Sequence, residues 1–284
     1  MIDRTTRVLI QGVTGRAGRM HTRLMRAYGT NIVAGVSPRA EPVDGVPVFT
    51  SCAEAVAASG ATASVAFVGA DALLGAIREA LDAGVKLIVT PTEGMPVHDA
   101  LAALAAVRAA GARWIGASTP GMAVPGEAKL GFLPEVALAP GPVGVMSKSG
   151  TLSYEVCYRL VRRGIGQSVW IGVGGDPVKG TRYADLVPYF AADARTRALV
   201  MIGEIGGSEE EELAAALRAE RFAKPVFALV AGRSAREGVT MGHAGAMVHG
   251  DAGSWVSKWA ALEDAGARVF GAVAELVEAL AAAL

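Results

Sequence analysis

Cysteine is nearly missing from this 284-residue chain: Cys52 and Cys157 lie far apart, and neither sits at metal-ligand spacing. That excludes a disulfide scaffold. The two are read as reduced thiols of a cytoplasmic protein, with one bridge between them left open as the alternative. An excess of charge of either sign is missing too. Lysine plus arginine number 27 and so do aspartate plus glutamate, which argues against a nucleic-acid binder working by bulk electrostatics. No apolar run reaches the roughly 18–20 residues of a membrane span, so no membrane partner is expected. The charged start MIDRTTR does not read as a signal peptide. Histidine is scarce, at four residues. No His/Cys/Asp/Glu constellation suggests a metal site.

Glycine is abundant: the chain has 36, well above the roughly 7% of an average protein. Many close an apolar run, where turns and ligand contacts belong. The strand candidates RVLIQG, NIVAGV, ASVAFVG, LIVTPT and RWIGAS alternate with segments of helical period: AGRMHTRLMRAYG, CAEAVAASG, DALLGAIREALDAG and DALAALAAVRAAG. Ser51 and Glu54 have capping-box spacing. A stretch holding Pro120, Pro125, Pro134, Pro140 and Pro142 then reads as a seam. Beyond it VGVMSKSG, SVWIGVGG, ALVMIGEIGG, PVFALVAG and ARVFGA alternate with five more helical segments. Continuous apolar strands separated by helices predict parallel sheets covered on both faces. The expected organisation is two consecutive α/β domains, 1–121 and 141–284, joined by a linker over 122–140.

In such sheets ligands bind at the carboxyl edge of the strands. The first turn, QGVTGRAG, carries Gly12, Gly15 and Gly18 in a G-x-x-G-x-x-G pattern rather than the dinucleotide G-x-G-x-x-G. The helix after it offers free N–H groups to an anion, and Arg16 and Arg19 add charge. After the second strand no acidic residue is available for the ribose of NAD; Ser37 and Arg39 stand there instead. That disfavours an NAD-dependent dehydrogenase and suits a phosphorylated ribose, as in NADP or coenzyme A. In the second half Ser149, Gly150 and Thr151 precede an amphipathic helix and form another candidate anion cradle. Ser208 and Glu211 have capping-box spacing, and Glu209, Glu210, Glu211 and Glu212 read as a solvated helix start that suits the dipole.

Glu204 is different, because it follows an apolar strand directly and precedes a glycine pair. A carboxylate there can orient a histidine by accepting its ring N–H. The histidine is His243 in MGHAGAM, where small neighbours let a ligand approach the ring closely. Near neutral pH one ring nitrogen is free to act as a nucleophile. His21 and His98 read as structural or surface residues, and His249 as an exposed loop residue.

Together QGVTGRAG, PTEGMP, SKSGTLSYE, GVGGDP, MIGEIGGSEEEE and MGHAGAM, in register over essentially the whole chain, resemble the α subunit of succinyl-CoA synthetase. The resemblance implies a Rossmann-like CoA-binding domain followed by a flavodoxin-like domain. It also implies a β subunit with an ATP-grasp fold, which would bind ATP or GTP with magnesium. His243 would be phosphorylated and pass its phosphoryl group to a small carboxylic acid, succinate by default; the CoA thiol would then attack the acyl phosphate. Glu204 matches the glutamate that orients the histidine, and Ser149, Gly150 and Thr151 the helix start that cradles the phosphohistidine. Tyr154 matches a substrate-proximal tyrosine. Thr14, Gly15, Arg16 and Ala17 fall on the CoA-binding turn, and Pro91, Thr92 and Glu93 on a second CoA-contacting segment.

The departures cluster in the CoA half. SPRAEPVDG stands where the family usually has TPGKGG, leaving Arg39 as a displaced substitute for the lysine. VGAD stands for VPAP, GASTPG for GPNCPG, and Val239 and Thr240 replace basic residues before MGHAG. Two alternatives follow: a CoA ligase for malate or another short acid, including sulfur-containing ones, and a non-catalytic CoA- or nucleotide-binding paralogue. The presence of both Glu204 and His243 disfavours the second.

Overall fold

The computed structural model describes residues 1–234 and 253–284. They divide into two compact units, Met1–Leu133 with Val178–Gly180, and Pro134–Pro177 with Thr181–Leu284.

The first unit runs β1 (Val8–Gln11), α1 (Arg16–Tyr28), β2 (Ile32–Val36), β3 (Val48–Phe49), α2 (Cys52–Ser59), β4 (Ala63–Ala66), α3 (Leu73–Asp82), β5 (Leu87–Thr90), α4 (Val97–Ala109) and β6 (Arg113–Gly116). Its strands form a parallel sheet in the order β3-β2-β1-β4-β5-β6. This is the Rossmann order, with its switch point between β1 and β4. Strands β1 and β4 are wholly buried, as expected of a sheet covered on both faces. The one polar side chain on β1 is satisfied: Gln11 donates to the Ala76 carbonyl at 2.9 Å and accepts from Ser64 Oγ at 2.8 Å. Trp114 is fully buried and donates from Nε1 to Thr90 Oγ1 at 2.8 Å, so its indole N–H carries no desolvation penalty.

The stretch expected as a linker over 122–140 instead opens with an antiparallel hairpin, β7 (Gly121–Val124) and β8 (Ala128–Gly131). Pro125 and Gly126 make its turn. Glu127 N–H donates to the Val124 carbonyl at 3.0 Å and Gly126 has φ +81°, the type II geometry in which Pro and then Gly are favoured. Pro125 thus serves a turn between two short strands, and the boundary between the two units, Leu133/Pro134, falls further along the same proline-rich stretch.

The second unit runs β9 (Pro140–Ser147), α5 (Gly150–Val161), β10 (Gln167–Gly172), α6 (Tyr183–Ala192), β11 (Ala198–Glu204), α7 (Glu209–Glu220), β12 (Val226–Ala231), α8 (Trp255–Asp264), β13 (Arg268–Phe270) and α9 (Val273–Ala281). Its five parallel strands lie in the order β10-β9-β11-β12-β13. Counted along the chain this is the flavodoxin-like 2-1-3-4-5, with the switch point between β9 and β11. Trp170, Tyr183, Phe190 and Phe227 are fully buried in this unit, each worth on the order of 1.5–3 kcal/mol in apolar burial. Among the described residues no helix is long and apolar enough to cross a membrane.

Candidate functional site

At the switch point of the first sheet, three turns meet over its carboxyl edge. The turn after β1 leads into α1, whose N-cap is Gly15 with no side chain to occupy the helix's first N–H groups. Gly18 lies so close to this turn that a Cβ on it would stand 2.2 Å from the Gly12 carbonyl oxygen. Opposite lies the turn after β4, where Asp71 is exposed on a short 3-10 turn, Ala70–Ala72. The segment after β5 is tied to it by Thr92, whose hydroxyl donates to the Val68 carbonyl at 2.7 Å. Of the residues singled out, Arg16, Ala17 and Glu93 are exposed and Pro91 is buried. Thr14 Oγ1 lies 2.6 Å from Ser37 Oγ, so the ends of β1 and β2 are joined by a hydroxyl pair. Thr14, Arg19, Ser37, Pro38, Arg39 and Glu41 line a cleft of about 280 Å³. Arg39, displaced in sequence from the family's lysine, therefore shares a cleft with Thr14. Arg19 is held there by a 3.0 Å bond from Nε to the Thr14 carbonyl. The cleft presents two guanidinium groups beside an uncapped helix start, a setting that favours phosphate.

In the second unit Ser147 of β9 is in register with Ile202 of β11. Two residues further on stand Ser149 and Glu204. Lys148 N–H donates to the Ile202 carbonyl at 3.0 Å, so these positions share the carboxyl edge at the switch point. Ser149 is the N-cap of α5, its Oγ accepting from Leu152 N–H at 3.2 Å. The helix-start N–H groups left to an anion are therefore those of Gly150 and Thr151. Tyr154, one turn along, packs edge-on against Trp170 at 5.8 Å. Its hydroxyl is buried without a hydrogen-bond partner among the described residues, and burial pushes its pKa up to about 12.

The acidic run after Glu204 differs from expectation. Glu210 is fully buried and Glu209 nearly so. Lys148, at the end of β9, lies 2.9 Å from Glu210 Oε1 and 3.3 Å from Glu209 Oε2. Lys258, fully buried on α8, pairs with Glu210 and also donates to Glu211 at 3.1 Å and to the Gly207 carbonyl at 3.0 Å. Burial alone would lower the Lys148 pKa. The carboxylates of Glu210, Glu209 and Glu204 outweigh it, and the pKa is raised. Ser208 does not cap α7; its hydroxyl donates to Glu212 at 2.7 Å, while Glu211 accepts from Ser257 at 3.0 Å. The Ser208–Glu211 capping box is thus absent because both side chains have other partners. The lysines that bury the acidic run are remote in sequence, which is why the run reads as solvated. A signal for one existed: Lys258 shares the buried face of α8 with Leu262. His243 and His249 lie outside the described residues.

Comparison with known proteins places these units in a family. A model described as CoA binding domain matches residues 3–94, and one described as CoA-ligase matches residues 146–268. The chain is 46% identical over 283 residues to succinate–CoA ligase [ADP-forming] subunit alpha 2 of Archaeoglobus fulgidus, covering 99% of this chain and 98% of that one. It is 43% identical over 273 residues to an ADP-forming sulfoacetate-CoA ligase subunit of Bilophila wadsworthia, covering 94% and 93%. Among solved structures, Methanosaeta concilii ATP citrate lyase in complex with (3S)-citryl-CoA superposes with a TM-score of 0.89 at 23% identity. That match covers 99% of this chain and 51% of the lyase chain, so this chain spans about half its length, and the likeness shows the fold. The chain belongs to the family of succinate–CoA ligase α subunits, in which a CoA-binding domain is joined to a CoA-ligase domain.

Proposed function

We propose that this chain is the α subunit of an acid–CoA ligase (NDP-forming), working with a β subunit of ATP-grasp fold that holds ATP or GTP with magnesium. Succinate is the default acid. The observation that carries the proposal is the near-complete match to an α subunit named for succinate and ADP, 46% identical over 99% of this chain. The reading divides the chain into a CoA-binding half, 1–121, and a ligase half, 141–284, with a cytoplasmic location. The location is supported by two free, buried cysteines.

A His243 ring nitrogen attacks the γ-phosphorus of the nucleoside triphosphate, and the diphosphate leaves. The acid's carboxylate then attacks that phosphorus and releases the ring as acyl phosphate forms. The CoA thiol attacks the acyl carbon and phosphate departs, carrying the thiol proton away as hydrogen phosphate. Glu204 accepts the other ring N–H of His243 and fixes its tautomer. The N–H groups of Gly150 and Thr151, at a helix start capped by Ser149, receive the phosphoryl oxygens. Tyr154, whose hydroxyl has no partner among the described residues, donates to the acid. In the CoA half Thr14, Gly15, Arg16 and Ala17 hold the pyrophosphate at the start of α1, Arg39 takes the role of the family's lysine, and Pro91, Thr92 and Glu93 line the path of the thiol arm. This assignment is supported by the cleft that Thr14 and Arg39 share.

A second reading, a ligase for another short acid, is favoured by the similarity to the sulfoacetate-CoA ligase subunit. Thioester formation by the co-purified complex, measured with succinate, malate and sulfoacetate in turn, separates the two. Fastest turnover with succinate supports the default, fastest turnover with another acid supports the second reading, and no thioester from any acid overturns the ligase assignment.

A further inference from the structure

The residues assigned to phosphoryl transfer stand on three separate elements. Ser149, Gly150 and Thr151 follow β9, Glu204 ends β11, and α8 is the helix the chain enters after the stretch containing His243. One carboxylate touches all three. Glu210 Oε1 accepts the Glu204 backbone N–H at 3.2 Å and lies 2.9 Å from Lys148 Nζ, next to Ser149. Its Oε2 accepts from Lys148 at 3.2 Å and pairs with Lys258 of α8. Lys258 in turn holds the Gly207 carbonyl, and the neighbouring Gly206 N–H donates to the Gly253 carbonyl at 2.8 Å just before α8 begins. Gly203 packs directly against the Glu210 side chain. A Cβ there would stand 2.6 Å from Glu210 Oε1 and 2.8 Å from its Cγ. A glycine before Glu204 is what lets the carboxylate lie against the strand end.

Placing a carboxylate and two ammonium groups in a buried position is costly, and well-packed hydrophobic residues of similar volume are often as stabilising. Burial for stability alone therefore does not account for the cluster. What it supplies is a fixed relation between three strand and helix ends. We propose that Glu210, clamped by Lys148 and Lys258, is a positioning residue for phosphoryl transfer, holding the Glu204 main chain and the Ser149 helix start in the relation that transfer to His243 requires. This rests on the reading of the chain as a phosphohistidine ligase subunit. A misplacement of about 1 Å in such a constellation costs on the order of a hundredfold in rate.

Two substitutions test it in the complex with the partner subunit, and both keep every charge. Glu210→Asp withdraws the carboxylate from the Glu204 N–H, and Gly203→Ala drives it away from the strand end. Incorporation of phosphate from γ-labelled ATP is followed in a single turnover, together with CoA affinity and the melting curve. The expected result is incorporation slowed at least tenfold in each variant, with CoA affinity unchanged and melting still cooperative. In a Glu204→Gln background the same substitutions are expected to slow incorporation by a smaller factor than in the unaltered chain, because part of their effect runs through Glu204. A merely structural defect would multiply in full. Labelling within twofold of the unaltered complex by either folded variant, or full multiplication on Glu204→Gln, overturns the proposal. Absence of label on the unaltered complex is a different failure: it removes the phosphohistidine reading and the positioning role with it.

Discussion

Replacing Gly18 by alanine sets two physical effects against each other. Alanine is favoured over glycine in a helix by up to about 1 kcal/mol, and Gly18 lies in the first turn of α1. A Cβ there would, however, meet the Gly12 carbonyl oxygen at 2.2 Å and the Val13 Cα at 2.9 Å. Both are backbone and cannot swing aside, so the turn must open. Overpacking of this kind costs about 1–3 kcal/mol, and contact with backbone puts it at the upper end. The net expectation is a loss of about 2 kcal/mol, which lowers Tm by roughly 4–8 °C for a unit of this size. Gly75 is the control. It lies in α3, and nothing stands within 4 Å of the Cβ it would gain, so Gly75→Ala should stabilise by about 0.5–1 kcal/mol. Urea and thermal unfolding of the three proteins measure the signs. Titration with CoA should show affinity falling at least tenfold for Gly18→Ala and staying unchanged for Gly75→Ala. Unfolding of Gly18→Ala at or above the unaltered midpoint would refute the claim that α1 is packed onto the turn.

Lys148→Met leaves Glu209 and Glu210 short of a buried cation and should cost about 3–5 kcal/mol in urea unfolding, whereas a surface ion pair would cost under about 1 kcal/mol. Burial raises the thiol pKa of Cys157, and burial and then the Glu79 carboxylate raise that of Cys52. Neither should react with a disulfide reagent at pH 8 until the chain is unfolded, and rapid native-state reaction would contradict their placement. His21 is stacked on Phe67 with ring centroids 5.3 Å apart, and burial, then the Lys129 charge, lowers its pKa. Between that lowered value and about 6.5 the unfolded chain binds the extra proton. Stability from this group is therefore complete above about pH 6.5 and declines as pH falls. His21→Phe should flatten the stability profile just below about pH 6.5, and an unchanged slope would show that His21 does not set it.

Both parallel sheets were legible in the sequence because their strands are continuous apolar runs ended by glycine, a pattern dictated by burial on both faces. Ser51 shows how far local rules reach. Its Oγ accepts from Glu54 N–H at 3.2 Å as spacing predicts, but Glu54 turns to Thr50, accepting from its N–H at 3.2 Å, so the box closes one residue early. The β7–β8 hairpin was obscured by prolines that read as a seam, although Pro125–Gly126 is a type II turn signal in its own right. The acidic run was misread for a deeper reason. Whether Glu209 and Glu210 face solvent depends on Lys148 and Lys258, some sixty residues before and nearly fifty after them, and no local pattern carries that. Arg39 illustrates the same limit: far from Thr14 in sequence, it lines the same cleft, a proximity no local pattern shows.

The central claim is that this chain carries phosphate on His243. Incubating the complex of this chain and its β subunit with γ-labelled ATP, beside one built with His243→Asn, tests it directly. The account predicts acid-labile, base-stable label on the unaltered chain, none on the variant, and loss of the label when acid and CoA are added. Equal label on both chains would contradict it.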